Sequence, residues 1–178
     1  MMDVFQAIRA RVSHKEDFLD EPVPQVYLEA IAEAGALAPT GANRQTVHFV
    51  VLPTKEKVLP LASIVPTWGM QTAHAAIAVA TDPSLNIPNH PSLETEDYAI
   101  AMAFMSLAAT SLGLSTLWLD SPFWDKGRND AAKALLGLPA HFKLWAVLPV
   151  GTPANPSSTR EKLPPSARIF YNQYKEQR

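Results

Sequence analysis

Apolar positions recur at helical spacing from the start of the chain. Val4, Phe5, Ile8 and Val12 share one face, which predicts a helix from residue 3 to about 13. Pro22 and Pro24 end the loop that follows. Pro24 suits the first turn of a second helix running to about Ala38, with Leu28, Ile31 and Gly35 on one face. Pro39-Thr40-Gly41-Ala42-Asn43 has turn chemistry. Thr46 to Leu52 is β-branched and aromatic and reads as a strand. Lys55 to Ile64 predicts a weaker helix interrupted by Pro60. Ala75 to Thr81 is an apolar run of strand length, closed by Asp82-Pro83.

Residues 83–93, with three prolines and two asparagines, read as a loop. A long helix follows from about Glu94 to Leu112, with acidic residues in its first turn. It is apolar almost all round, which places it at the centre of the molecule or at a subunit interface. Ser115 to Leu119 and Lys143 to Val150 predict two further strands. Between them, Asp130 to Leu136 predicts a helix stopped by Gly137. The tail reads as a loop, then a polar helix from about Ser166. There is no internal repeat and no domain boundary, so residues 1–178 read as a single α+β domain.

One stretch raises the question of a membrane. From Tyr98 to Leu119 no residue is charged, a length sufficient to cross a bilayer. Yet it contains Ser106, Thr110, Ser111, Ser115 and Thr116, is split by Gly113, and has acidic flanks without a basic anchor. A buried helix running into a buried strand explains it better. The first residues, Met1 to Arg9, show no signal-peptide pattern.

Composition narrows the function. Apolar residues are 47% and charged residues 18% of 178, enough for a core and against disorder. A net charge of -2 excludes a broad basic footprint, and with it nucleic acid as a general partner. Zero cysteines exclude a disulfide scaffold, a thiolate metal site, a cysteine-ligated iron–sulfur cluster and a cysteine nucleophile, and fit a cytoplasmic protein. The 16 prolines are spread as punctuation between elements, densest from Pro149 to Pro165. No two glycines are two apart, so there is no dinucleotide-binding G-x-G-x-x-G; P-loop and G-x-S-x-G motifs are also missing. No two of the five histidines share a helical metal-binding spacing.

Three segments carry candidate chemistry. Arg11-Val12-Ser13-His14-Lys15 offers two cations and a hydroxyl that suit a phosphate. Taken alone, it reads better as a solvated helix end, where cations meet the C-terminal dipole. Pro39 to Gln45 suits a loop presenting amides to a planar polar ligand, or an ordinary helix-to-strand turn. Arg160-Glu161-Lys162, extended, would point two cations the same way, or form a solvated tail.

Taken in order, these segments resemble the FMN-dependent nitroreductase family. The likeness runs through Arg11-x-Ser13-x-Lys15, Glu21-Pro22-Val23-Pro24 and Pro39-Thr40-Gly41-x-Asn43-x-Gln45 leading into a strand. It continues with Leu107-Ala108-Ala109 to Leu112-Gly113-Leu114, Val147 to Pro153, and Arg160-x-Lys162-Leu163-Pro164, spanning roughly residues 5–165. The resemblance implies a central mixed β-sheet flanked by helices, a long buried central helix and an intertwined homodimer with FMN at the interface. It implies that Arg11, Val12, Ser13 and Lys15, with Arg160 and Lys162, hold the phosphate and ribityl chain. Pro39, Thr40 and Gly41 of the other subunit would pack on the ring, with Asn43 and Gln45 nearby. Asp120 and Ser121 fall where the family contacts the flavin N5 edge.

The implied activity is electron transfer from NADPH or NADH through FMN to a small acceptor such as a nitroaromatic, quinone or activated alkene. The flavin carries that chemistry, so no catalytic side chain is assigned. Relatives of this fold also dehalogenate, dehydrogenate or break down flavin, and a flavin-binding protein without turnover is a further alternative. The chain departs from the family in having Thr46-Val47 where Pro-Trp is common. It also lacks a long insertion between Ser121 and Lys143, and residues 60–75 show no recognisable mid-chain flavin contacts.

Overall fold

The structure is a computed structural model that describes residues 2–67, 69–156 and 161–174. Its helices are α1 (Val4–Ala10), α2 (Gln25–Ala36), α3 (Lys55–Ile64), α4 (Glu94–Ser111) and α5 (Lys126–Leu135). Its strands are β1 (Val47–Leu52), β2 (Ala75–Thr81), β3 (Ser115–Thr116) and β4 (Lys143–Gly151), ordered β1-β2-β4-β3. All the strand pairs are antiparallel, where the resemblance implied a mixed sheet; the parallel component is the bridge from Ser13 to Thr116.

Helices cover both faces of the sheet, so β2 is buried along its whole length and reads as an unbroken apolar run. Its residues alternate between two cores. Ala75, Ile77 and Val79 face α2 and α4, meeting Leu28, Ile31, Met102 and Met105. Ala76 and Ala78 face the other way, among Val58, Leu61 and Ala62 of α3 and Ala132 of α5. Gly35 lets α2 approach closely: a Cβ there would sit 2.8 Å from Met105 and 2.9 Å from Phe49.

Register slips between Val79 and Ala80, where Trp145 is the extra residue of β4. The bulge sends its indole N–H to Thr81 Oγ1 at 2.7 Å and stacks its ring 4.8 Å from that of Tyr98. Beside it lies a polar hub at the start of α4. The fully buried Glu94 carboxylate accepts from Thr81 Oγ1 (2.6 Å), Ser92 Oγ (2.7 Å) and Lys143 Nζ (2.6 Å).

Several elements differ from the sequence pattern. α1 stops at Ala10 because Arg11 is already extended. Its apolar face is uncovered, with Val4, Phe5 and Ile8 all exposed. α3 runs through Pro60 without a break. β3 is two residues long, and only the Leu119–Val147 bridge continues it. α5 begins at Lys126, capped by the Asp125 carboxylate, which accepts from Arg128 N–H. The predicted tail helix is a single 3-10 turn, Pro165–Ala167, among the described residues; Ile169 and Tyr171 beyond it have no core to pack on. Among the described residues no helix is long and apolar enough to cross a membrane.

Candidate functional site

The segment after α1 is strand-like. Ser13 bridges Thr116, and His14 N–H donates to Thr116 O at 2.9 Å. His14 is fully buried, with Nε2 2.9 Å from Asp17 O and its ring 4.7 Å from that of Phe18. Phe18 bridges Pro153 and fills the space beside Gly69 and Gly151. Alternation along an extended chain therefore turns His14 inward and sets Arg11, Ser13 and Lys15 on the opposite side. Ser13 and Lys15 are exposed, and Arg11 and Val12 are half-buried. Two cations and a hydroxyl thus share one face, at the β3 edge of the sheet.

Asp120 and Ser121 lie at that same edge, just past the Leu119–Val147 bridge. Asp120 caps a 3-10 turn, its Oδ1 accepting from the Ser121 N–H at 2.6 Å. Burial, and then the Asp120 charge, push the Tyr98 phenol above its usual range. Lys162 is exposed. Arg160 lies outside the described residues.

The Pro39–Gln45 loop sits elsewhere, leading into β1 at the opposite sheet edge. A 3-10 turn, Gly41–Asn43, is followed by a sharp return, with Ala42, Asn43 and Gln45 all at positive φ. Gln45 N–H donates to Thr40 Oγ1 at 3.0 Å. The buried Asp97 of α4 accepts from Gly41 N–H through Oδ1 and from Thr46 Oγ1 through Oδ2, both at 2.8 Å. Pro39, Asn43 and Gln45 remain exposed, while Thr40 and Gly41 are half-buried.

The structure thus brings Arg11, Val12, Ser13, Lys15, Asp120 and Ser121 to one edge and the loop to the other. Three strand spacings separate the edges, roughly 14 Å. Along α4 the offset from Asp97 to Ser111 adds about 21 Å at 1.5 Å per residue.

One feature escaped the sequence. A cavity of about 470 Å³ opens beside Asp17, lined by Pro66, Thr67, Gly69, Gln71 and Thr72. The Thr67 hydroxyl is buried with no hydrogen-bond partner among the described residues. Small polar residues around a glycine carry no pattern that marks them in the sequence, and Asp17 is the residue of the 11–18 segment that lines the cavity.

Comparison with known proteins agrees with this architecture. The sequence profile of the Nitroreductase family matches residues 8–83. The chain is 31% identical over 166 residues to the "Putative NADH dehydrogenase/NAD(P)H nitroreductase" of Methanothermobacter thermautotrophicus, covering 92% of this chain and 84% of that protein. It is 29% identical to the FMN reductase (NAD(P)H) of Bacillus subtilis, covering 91% and 72% of the two chains. Among solved structures, the "putative nitroreductase in complex with FMN" of Desulfovibrio desulfuricans superposes with a TM-score of 0.80 at 25% identity, covering 98% of this chain and 99% of that one. With its α+β fold, its extended basic segment and this breadth of likeness, the chain belongs to the nitroreductase family.

Proposed function

We propose that the protein is an FMN-dependent NAD(P)H oxidoreductase acting on a small acceptor. The observation that carries this reading is the single face of Arg11, Ser13 and Lys15 at the β3 edge of the sheet, where Asp120 and Ser121 also lie. Those residues fit the group. A flavin phosphate carries close to two negative charges, and cations with a hydroxyl donor offset them. Asp17 would repel the phosphate, so the phosphate belongs toward Arg11 and Lys15. Asp17 and the Thr67 hydroxyl suit a polyhydroxylated chain. Arg160 and Lys162 would add charge from the tail. Bound there, FMN supplies the redox chemistry, taking hydride equivalents from NADH or NADPH and delivering electrons to an acceptor such as a nitroaromatic, quinone or activated alkene.

The protein's part is to bind, orient and exclude water. Asp120 and Ser121 offer a polar edge to the ring, with the Ser121 N–H already held by Asp120 Oδ1. Pro39, Thr40 and Gly41, with Asn43 and Gln45 nearby, offer a flat face to a ring. The loop lies too far from Arg11–Lys15 of its own chain for both to hold one flavin, so a second copy would supply it. The exposed apolar residues Val4, Phe5, Ile8, Val26 and Phe104 on α1, α2 and α4, with Leu37 just past α2, support such a homodimer.

The test is an anaerobic visible spectrum of protein reconstituted with FMN and desalted, then mixed with NADPH or NADH. A retained flavin band that bleaches is expected. Arg11→Ala with Lys15→Ala should weaken FMN binding at least tenfold, about 1.4 kcal/mol. Unchanged affinity would remove the phosphate assignment. A retained band that neither nucleotide bleaches would make this a binding protein.

A further inference from the structure

We propose that Asp97 is a positioning residue, whose single carboxylate sets the shape of the Pro39–Gln45 loop and so controls reaction with the acceptor without affecting phosphate binding. The inference rests on the reading that this loop faces the flavin ring.

The loop needs an external template. Ala42, Asn43 and Gln45 occupy the left-handed region, where a side chain is disfavoured and a conformation persists only if its surroundings dictate it. Its internal bonds, Asn43 N–H to Thr40 O, Arg44 N–H to Gly41 O and Gln45 N–H to Thr40 Oγ1, close the turn on itself. They do not set the turn against α4. Asp97 does so at two points, one oxygen on Gly41 N–H and the other on Thr46 Oγ1, each at 2.8 Å. Leu93 sits against Gly41 so closely that a Cβ there would collide with it.

Asp97 is 2% exposed, and no Lys, Arg or His forms an ion pair with it among the described residues. Its charge is met by an amide, a hydroxyl and the N-terminal turn of α4. Burying a carboxylate on backbone and hydroxyl alone is a poor way to gain stability. It is a good way to fix two donors relative to each other, because both oxygens belong to one rigid plane. The adjacent residue, Tyr98, has its ring 6.0 Å from that of Trp118, two residues before Asp120. Consecutive residues of α4 therefore bear on the loop and on the strand that leads to the other polar edge.

Three variants test this. Asp97→Ala removes both acceptors. Asp97→Asn keeps an oxygen for Gly41 N–H and can donate its amide to Thr46 Oγ1, so it preserves the geometry without the charge. Thr46→Val releases one end only. The first readout needs no cofactor: amide hydrogen exchange of residues 39–46 in apo protein. Exchange should rise at least tenfold in Asp97→Ala, less in Thr46→Val, and stay within about threefold of wild type in Asp97→Asn, with residues 11–18 unchanged. In protein saturated with FMN, Asp97→Ala should raise the acceptor KM or lower kcat about tenfold.

Unchanged exchange in Asp97→Ala, or equal damage in Asp97→Asn, would overturn the proposal. If Asp97→Ala does not fold, the contrast of Thr46→Val with Asp97→Asn decides it: Thr46→Val indistinguishable from wild type overturns it. Wild-type protein that retains no flavin would instead sink the functional reading, leaving the exchange result to stand alone.

Discussion

Replacing Lys143 by methionine removes the ammonium that faces Glu94 and keeps most of the apolar stem. The size of the loss follows from the surroundings. Removing one partner of a fully buried ion pair costs about 3–5 kcal/mol, and an exposed pair is worth about 0–1 kcal/mol. Here the two sides differ: the Glu94 side chain is 1% exposed and that of Lys143 is 50% exposed. Glu94 also keeps the Thr81 and Ser92 hydroxyls. The loss is then about one charge-assisted hydrogen bond, ~2 kcal/mol. For a chain of this length that lowers Tm by roughly 4–8 °C.

Its pH dependence is the sharper signature. Burial pushes the Glu94 carboxyl up, but hydrogen bonds from Lys143, Ser92 and Thr81 hold it below the usual glutamate range. An unfolded glutamate titrates near ~4.3. A lowered folded value means the stabilisation is complete above that pH and is lost as pH falls through the folded value. Without Lys143 the folded value rises, so the variant's Glu94 takes up its proton first and then needs no cation. Urea unfolding of both proteins, at equal protein and FMN concentrations, should give a gap that is widest near neutrality and narrows in acid. A loss under about 0.5 kcal/mol, or a gap that stays constant into acid, would refute the reasoning.

Gly151→Ala should lower the urea midpoint by the equivalent of about 1–3 kcal/mol, because the new Cβ would lie 2.8 Å from Phe18 Cδ1 and 3.0 Å from its Cγ. An unchanged midpoint would show that Phe18 moves aside. Asn129→Ala should cost about 1–3 kcal/mol, since its amide donates to both Phe123 O and Leu144 O at 2.9 Å; hydrogen exchange should rise around the 3-10 turn at residues 121–124. Asp20 is held below the usual carboxylate range, first by a hydrogen bond from Lys55 and then by one from His74. NMR titration of its carboxyl should therefore move upward in Lys55→Gln, and no movement would remove that pair.

The sheet and the long helix were legible because burial left long apolar runs: β2 begins and ends where the pattern places it, and α4 starts at Glu94 and ends one residue short of the expected Leu112. Element ends were less so. α1 was overextended because Val12 continues the apolar spacing, yet pairing of Ser13 with Thr116 pulls the chain straight. The start of α5 was hidden by Gly127, a weak helix former in its first turn. For the site, the basic segment and the turn were readable as local strings. The Glu94–Lys143 and Gly41–Asp97 contacts join residues 49 and 56 apart, and no local pattern encodes them.

The wide separation of the loop from the basic segment has a genetic corollary on the two-copy reading. A two-fold pair has two sites, each combining the basic segment of one chain with the loop of the other. A chain altered only at Arg11 and Lys15 and a chain altered only at Asp97 would each form pairs in which both sites are impaired. Mixed, they would form some hybrids in which one site inherits both faults and the other inherits none. With random assortment about a quarter of all sites would be sound, so two impaired proteins would partly restore each other on refolding together.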